Sequence, residues 1–520
     1  MDKFFYYGID KLTVSKAVAV ASGTLKAILS KEAVDKVNNS HRYVQQIVTS
    51  NKTVYGINTG FGALADTIIS EKDTATLQYK ILQSHSAGVG TPILQELTKL
   101  MLITKVHALA QGFSGVQLTT LERIIWHIDK GIIPVVPSKG SVGASGDLAP
   151  LAHLFLPLIG LGECYYKGER MPTSKIFQQE NLYPVSLGPK EGLALINGTQ
   201  FILSFAIKAV QRLHYCLEAA DIIGAMSLEA LTGTQAPFDE RLHALRPFPG
   251  NKLVAQRLRI LLKDSAIMQS HVDCGRVQDP YSLRCIPQVH GATRNAWLHL
   301  KELTTIELNA VTDNPVVLNE METISGGNFH GQPLALPLDY ACFAAAELGN
   351  IADRRCYLLL EGKWGLPTFL MNDVGLNSGF MLPQYTTAAL VSENKTLCFP
   401  SSADSIPTSL GQEDHVSMGS ISGRKLNRVL GNLEYILGIE LLTACQAIEF
   451  RRPLKSSEIL EFAHEYVRKF VTFAKEDRIY ADDINKVTEL IRDFSFVEKV
   501  NEFAVSRNLF LNKEYDEFCI

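Results

Sequence analysis

Residues 140–151 read Gly-Ser-Val-Gly-Ala-Ser-Gly-Asp-Leu-Ala-Pro-Leu, and within them the tripeptide Ala144-Ser145-Gly146 can turn its own main chain into an electrophile. Gly146 has no Cβ, so its amide nitrogen can approach the Ala144 carbonyl in a bend that a larger residue resists. Attack by that nitrogen with loss of water closes a five-membered imidazolone ring. Loss of the Ser145 hydroxyl as a second water then leaves an exposed methylidene carbon. Gly140 and Gly143 make the preceding loop compliant, and Asp147 supplies a carboxylate beside the cyclising bonds. A bare Ala-Ser-Gly reads as a flexible loop entering a helix, with Asp147 or Ser145 as N-cap. The complete run says more than the tripeptide alone.

That run resembles the signature of the aromatic amino-acid ammonia-lyases, which carry a methylideneimidazolone (MIO) group made from this tripeptide. Further blocks occur in the family's order. Tyr55-Gly56-Ile57-Asn58-Thr59-Gly60-Phe61-Gly62 is similar to a mobile tyrosine loop. Ser84-His85-Ser86-Ala87-Gly88, Leu195-Ile196-Asn197-Gly198-Thr199 and Gln278-Asp279-Pro280-Tyr281-Ser282-Leu283-Arg284-Cys285 are similar to family blocks. So are Asp313-Asn314-Pro315, Gly326-Gly327-Asn328-Phe329-His330 and Gln412-Glu413-Asp414-His415-Val416-Ser417-Met418. The resemblance spans roughly residues 15–450.

Eliminating ammonia from an α-amino acid requires an electrophile for the amine and a base for a weakly acidic β-hydrogen. The resemblance gives the first task to Ala144-Ser145-Gly146 and the second to Tyr55. A tyrosine with a pKa of about 10 needs nearby positive charge or helix N-termini to act as a base; without the family, Tyr55 reads as a core or turn aromatic. Gly56, Gly60 and Gly62 allow the loop to move as a lid. Arg284 suits the substrate carboxylate, which a guanidinium meets with two parallel hydrogen bonds; a structural ion pair is the other reading. Asn197, between apolar neighbours, is either a satisfied core amide or, as the resemblance implies, a residue close to the MIO group and the substrate. Gln278 and Tyr281 precede Arg284 by six and three residues and could share its face in a helical turn. Phe329 packs against the ring system or the core.

Substrate choice rests on His85 and Glu413. Phenylalanine- and tyrosine-acting relatives usually carry Gln where Glu413 stands, whereas Gln412-Glu413-Asp414-His415 is similar to histidine-acting members. A carboxylate accepts an imidazole N–H and favours its charged form; the bland reading of Glu413 is an ion pair at the bundle end. His85 fits a polar ring, whether imidazole or phenol. Some positions vary within the family: Ile286, His290 and Gly331-Gln332 differ from some histidine-acting relatives, and Phe155, where a small residue is typical, is the clearer departure; any of them could reshape the pocket.

A chain of 520 residues with 46% hydrophobic and 20% charged side chains can bury a large core to support such a site. The net charge is −4 with Lys and Arg scattered, which points away from nucleic acid and anionic membranes. Nine cysteines, odd in number and without CxxC spacing, read as buried thiols in a reducing cytosol rather than disulfides or a metal site. The short Phe4–Tyr7 aromatic run is too short for a signal peptide, and the apolar Leu148–Leu161 stretch is shorter than a membrane span. A cytoplasmic protein is expected.

Helical periodicity marks three long segments, Gly198–Leu231, Leu334–Leu360 and Gly423–Phe450. Each runs about 40 Å or more at 1.5 Å per residue. Leu334–Leu360, nearly apolar all round, calls for burial in a bundle or an oligomer. Shorter helices are predicted at Thr98–Ala110, Val116–Lys130 and Ser457–Lys475, with strands at Ile132–Val136 and Val316–Leu318. The predicted class is mainly α: a loop-rich N-terminal half carrying the MIO site, residues 1–197, and a long-helix bundle with C-terminal helices, residues 198–520.

The resemblance implies deamination of L-histidine to trans-urocanate and ammonia, with no external cofactor and no metal, in a homotetramer whose sites draw on several subunits. A tyrosine ammonia-lyase or a 2,3-aminomutase on the same scaffold is the alternative. A catalytically silent helical assembly protein is a third reading, against which the joint presence of Ala144-Ser145-Gly146, Tyr55 and Arg284 argues.

Overall fold

The three periodic segments become helices of 31, 29 and 31 residues, Gln200–Ala230, Gln332–Leu360 and Gly419–Glu449. The computed structural model describes residues 4–50, 53–60, 69–272, 275–320, 322–509, 511 and 516–520; Phe61, Gly62 and Cys274 lie outside them. The protein is mainly α. Strands among the described residues are two to four residues long and form small separate sheets.

The chain divides into two units, each discontinuous in sequence. The first comprises Met1–Lys208, Lys301–Asp339 and Pro400–Arg424; the second comprises Ala209–Leu300, Tyr340–Phe399 and Lys425–Ile520. All the small sheets belong to the first unit. Phe4–Tyr6 pairs in parallel with Lys26–Ile28, and Ile133–Pro134, Glu163–Tyr166 and Glu169–Pro172 form an antiparallel sheet. Around them pack the helices Gln95–Leu109, Leu118–Lys130, Glu71–His85 and Leu148–Phe155. The strands predicted near residues 132 and 316 are present but shorter, at Ile133–Pro134 and Val316–Val317.

The second unit is built on helix faces. Leu426, Val429, Leu430, Leu433, Leu437, Leu441 and Ala444 recur at three- and four-residue steps and are fully buried. Each buried leucine contributes on the order of 1.5–3 kcal/mol of transfer free energy. The helix Gln332–Leu360 buries Leu338, Ala341, Ala345, Leu348 and Leu359, but leaves Tyr340, Phe343 and Tyr357 exposed in the single chain. Cys216, Cys356 and Cys445 are buried in this unit and Cys164 in the first; burial raises their thiol pKa values, to about 12 for Cys164 and Cys445. Among the described residues, no helix is long and apolar enough to cross a membrane.

Candidate active site

In the first unit, the tripeptide sits where two helices begin. Gly146 bridges to Gly198, the Asp147 N–H donates to the Gly198 carbonyl at 2.7 Å, and the helices Leu148–Phe155 and Gln200–Ala230 each start two residues after one of these glycines. Gly146 has φ +79°, and a Cβ there would lie 2.1 Å from the Gly198 oxygen, so no other residue fits. Gly143 is held as tightly: at φ +73°, its Cβ would meet Ser417 Oγ at 2.1 Å.

Asp147 occupies the N-cap position of Leu148–Phe155, but its side chain does not cap that helix. It accepts instead from the Ile202 N–H at 3.0 Å, in the first turn of Gln200–Ala230, and from Ser141 Oγ at 3.1 Å. Burial pushes its carboxyl up to about 7, against the pull of the donors from Ile202, Ser141 and Phe201. Two helix N-termini thus face the tripeptide, and their partial positive charge favours electron density there.

Asn197 follows the short helix Glu191–Ile196, and its Nδ2 donates to the Ser145 carbonyl at 3.1 Å. Its Oδ1 is buried and has no hydrogen-bond partner among the described residues, so the amide is only half satisfied there. Behind it, Lys105 donates from Nζ to the Asn197 main-chain carbonyl at 2.6 Å, and burial pushes this ammonium down to about 7. Lys190 and Asp313 form a buried ion pair at 2.5 Å, and Lys190 also donates to the Ser114 carbonyl. Sequence patterns singled out neither lysine. The signal was there for Lys105, a lone cation in the apolar run Met101–Ala110.

On the tripeptide's other side, Ser145 Oγ donates to Glu413 Oε1 at 3.2 Å. Thr408 Oγ1 donates to Glu413 Oε2 at 2.8 Å, and the main chains of Thr408 and Glu413 pair as an antiparallel bridge. Glu413 is therefore held by a hydroxyl on each oxygen, in place of the ion pair that was its bland reading. His85 ends the helix Glu71–His85; burial lowers its pKa, and the Ile81 carbonyl and the Glu413 carboxylate oppose that shift.

Tyr55, His85, Ser145, Asn197, Phe329 and Glu413 line one cavity of about 1070 Å³, together with Ala144. Tyr55 lies in a turn closed by Ile57 N–H to the Val54 carbonyl. Gly56 beside it has φ +72°, and a Cβ would sit 2.5 Å from Leu193 Cδ2. Among the lining residues that lie in recognised blocks without an assigned role are His330 and His415, whose rings stack at 5.3 Å with His415 Nδ1 3.3 Å from His330 Nε2. Phe155 does not line this cavity. It is buried beside a small apolar void with Leu102, Ile124 and Pro134, so it does not reshape the site directly.

Gln278, Tyr281 and Arg284 belong to the second unit and do not line the cavity. Tyr281 and Arg284 share the short helix Tyr281–Arg284, with the guanidinium 4.5 Å from the Tyr281 ring centroid, whereas Gln278 precedes it as an exposed coil residue. The Arg284 guanidinium makes no ion pair or hydrogen bond among the described residues, and its Nε is buried.

The aromatic amino acid lyase profile matches residues 12–469. Histidine ammonia-lyase of Natranaerobius thermophilus is 47% identical over 477 residues, covering 91% of this chain and 94% of that protein. Histidine ammonia-lyase of Sorangium cellulosum is 48% identical over 482 residues, with the same coverage of 91% and 94%. Among solved structures, histidine ammonia-lyase from Trypanosoma cruzi superposes with a TM-score of 0.89 at 39% identity, covering 99% of this chain and 96% of that one. Tyrosine aminomutase from Streptomyces globisporus superposes with a TM-score of 0.91 at 33% identity, covering 98% and 99%. With the profile spanning most of the chain and these relatives matching nearly end to end, the chain belongs to the aromatic amino acid lyase family.

Proposed function

We propose that this protein is an ammonia-lyase that converts L-histidine to trans-urocanate and ammonia. The observation that carries the substrate is the Glu413 carboxylate, held by Thr408 Oγ1 and adjoining Ser145 at the wall of a cavity that His85 also lines. It supplies an acceptor for an imidazole N–H at the tripeptide itself, and the histidine ammonia-lyases at 47% and 48% identity support the same reading.

The residues present fit an MIO group. Position 146 has no room for a Cβ, the Ser145 carbonyl that ring closure retains already takes a donor from Asn197, and Asn197 Oδ1 is an orphaned acceptor among the described residues. Once formed autocatalytically from Ala144-Ser145-Gly146, this group supplies an electrophilic carbon for the substrate amine. Asn197 and the two helix N-termini favour electron density on the Ser145 carbonyl oxygen. Tyr55 takes the β-proton at its phenolic oxygen. Phe329 bounds the space for the substrate ring, while Glu413 and His85 orient that ring.

Arg284, with its unspent guanidinium, holds the substrate carboxylate; Tyr281 stacks on it and Gln278 lies nearby in sequence. In a homotetramer, a neighbouring subunit would bring these three residues to the cavity. The exposed Tyr340, Phe343 and Tyr357 on a long helix support such an assembly. The working compartment is the cytoplasm.

A tyrosine ammonia-lyase or a 2,3-aminomutase is the second reading, favoured by His85 and by the structural likeness to a tyrosine aminomutase. The test is to incubate the pure protein separately with histidine, tyrosine and phenylalanine and follow the ultraviolet absorbance of each conjugated product. Urocanate formation with little turnover of the other two supports the proposal. A preference for tyrosine, or a β-amino acid product, supports the alternative and removes Glu413 as the deciding residue.

A further inference from the structure

The second unit contains a fully buried polar chain that the reading above does not use. Glu218 and Asp221 on Gln200–Ala230 meet Arg257 on Pro249–Leu261 and Arg294 on Ile286–Leu308. Arg257 Nε and Arg294 Nη2 donate to Asp221 Oδ2 at 2.8 and 2.6 Å, and the same two guanidinium groups pair with Glu218 at 2.8 and 3.0 Å. The other Asp221 oxygen, Oδ1, accepts from His290 Nδ1 at 2.8 Å. That bond fixes the tautomer: Nδ1 carries the proton and Nε2 presents a lone pair.

Arg355 Nη1 lies 3.4 Å from that lone pair. Arg355 is held from behind by Glu440, with Nε to Oε1 at 2.5 Å and Nη2 to Oε2 at 3.0 Å, and Ser227 Oγ adds a bond to Oε1 at 2.8 Å. Three acids thus balance three arginines, leaving the histidine neutral. Burial lowers the His290 pKa, and the neighbouring Arg355 adds to that against Asp221.

The chain ends on functional backbone. The same Arg355 Nη1 reaches the main-chain carbonyl of Ser282 at 3.4 Å, inside the helical turn Tyr281–Arg284. The approach to this turn is anchored separately: Asp279 accepts from the Thr234 N–H at 2.6 Å and pairs with Arg276 at 2.9 Å. Arg284 is therefore displayed by a turn tied ahead of it at Asp279 and within it at Ser282, and only the Ser282 tie depends on His290. Two polar partners at 3.4 Å are individually weak, but they share one guanidinium nitrogen. Removing the His290 acceptor leaves that nitrogen with a single off-centre partner and leaves Asp221 Oδ1 without its donor.

We propose that His290 is a positioning residue for substrate binding: through Arg355 it holds the Ser282 carbonyl, and with it the turn that carries Arg284, in register with the substrate carboxylate. This rests on the reading of Arg284 as the carboxylate's partner.

The test uses the full-length protein and two competitive ligands, urocanate, which bears a carboxylate, and 4-methylimidazole, which has the ring alone. His290→Met keeps side-chain bulk and removes both polar contacts. It should weaken urocanate by about fivefold to tenfold, the worth of roughly one net hydrogen bond. The 4-methylimidazole constant and the mass of the Ser145 peptide, both set in the first unit, should not change. Arg284→Met should show a larger loss selective for urocanate, and adding His290→Met to it should cost nothing more.

Equal weakening of both ligands by His290→Met, no weakening, or an undiminished effect in the Arg284→Met background overturns the proposal alone. An Arg284→Met protein that loses no urocanate affinity removes the Arg284 reading and this proposal with it. Should His290→Met fail to fold, Arg355→Lys keeps the charge facing Glu440, gives up the second reach to Ser282, and carries the same expectation and the same refutation.

Discussion

Removing the charge from Glu413 without changing its shape separates recognition of the substrate ring from everything else the site does. In Glu413→Gln the amide keeps the volume of the carboxylate, and the main-chain bridge between Thr408 and Glu413 is untouched. Ser145 Oγ, at 3.2 Å, is a partner only until ring closure removes it; Thr408 Oγ1, at 2.8 Å, remains, and a hydroxyl can accept from the new NH₂ as readily as it donates to an oxygen. The fold and the tripeptide should therefore be unaffected, and intact mass should match that of the parent apart from the substitution.

What is lost is the charge-assisted bond to imidazole, worth about 1.5–3 kcal/mol. At roughly 1.4 kcal/mol per factor of ten, kcat/KM for histidine should fall by about tenfold to a hundredfold or more. Tyrosine, with no basic ring nitrogen, should be turned over as before or better. Steady-state kinetics on both substrates measures the ratio. An unchanged histidine-to-tyrosine preference in Glu413→Gln means that the carboxylate is structural, and the substrate argument fails.

Three further outcomes follow from the geometry. Gly146→Ala combines left-handed backbone strain with a Cβ 2.1 Å from the Gly198 oxygen, and should cost on the order of 2–5 kcal/mol in denaturant unfolding while the protein retains both waters by mass; near-parent stability would show that the turn is not as tight as described. Tyr55→Phe should lower kcat by several orders of magnitude with little change in KM, and near-parent turnover would reduce Tyr55 to loop packing. Asp147, whose carboxyl is pushed up to about 7, keeps its proton when folded but loses it from about pH 4 upward when unfolded. Its contribution therefore falls as pH rises from about 4 to 7 and is level above that. Relative to Asp147→Asn, the parent should lose stability across that window in parallel melts, and a flat difference refutes the assignment.

The elements most legible in the sequence were those whose own side chains make the core. The seam from Leu426 to Ala444 marked its helix because each residue is buried along one face. The helix nevertheless starts four residues before the predicted Gly423, at Gly419. A Cβ at Gly419 or Gly423 would lie 2.8 Å from Ile202 or Phe205, so tertiary approach favours glycine here over helix propensity. The predicted Ser457–Lys475 helix stops at Arg468, because Gln446 takes both the Ala474 N–H and its carbonyl and holds that stretch out of the helix.

The site was legible as blocks and illegible as geometry. Residue types named Ser145, Asn197 and Glu413, but the convergence of two helix N-termini on Gly146 depends on a bridge to Gly198, 52 residues away. Asp147 was expected near a cap, and no local pattern could show that it caps the helix beginning at Gln200 rather than its own. The discontinuous units likewise join stretches that no local periodicity connects.

Mass spectrometry of the histidine-active protein tests the central claim most directly. The account predicts a chain two waters short of its sequence mass, with the deficit on the peptide containing Ser145, and a Ser145→Ala protein that loses one water or none along with its activity. A full-mass, unmodified chain that still forms urocanate would contradict it.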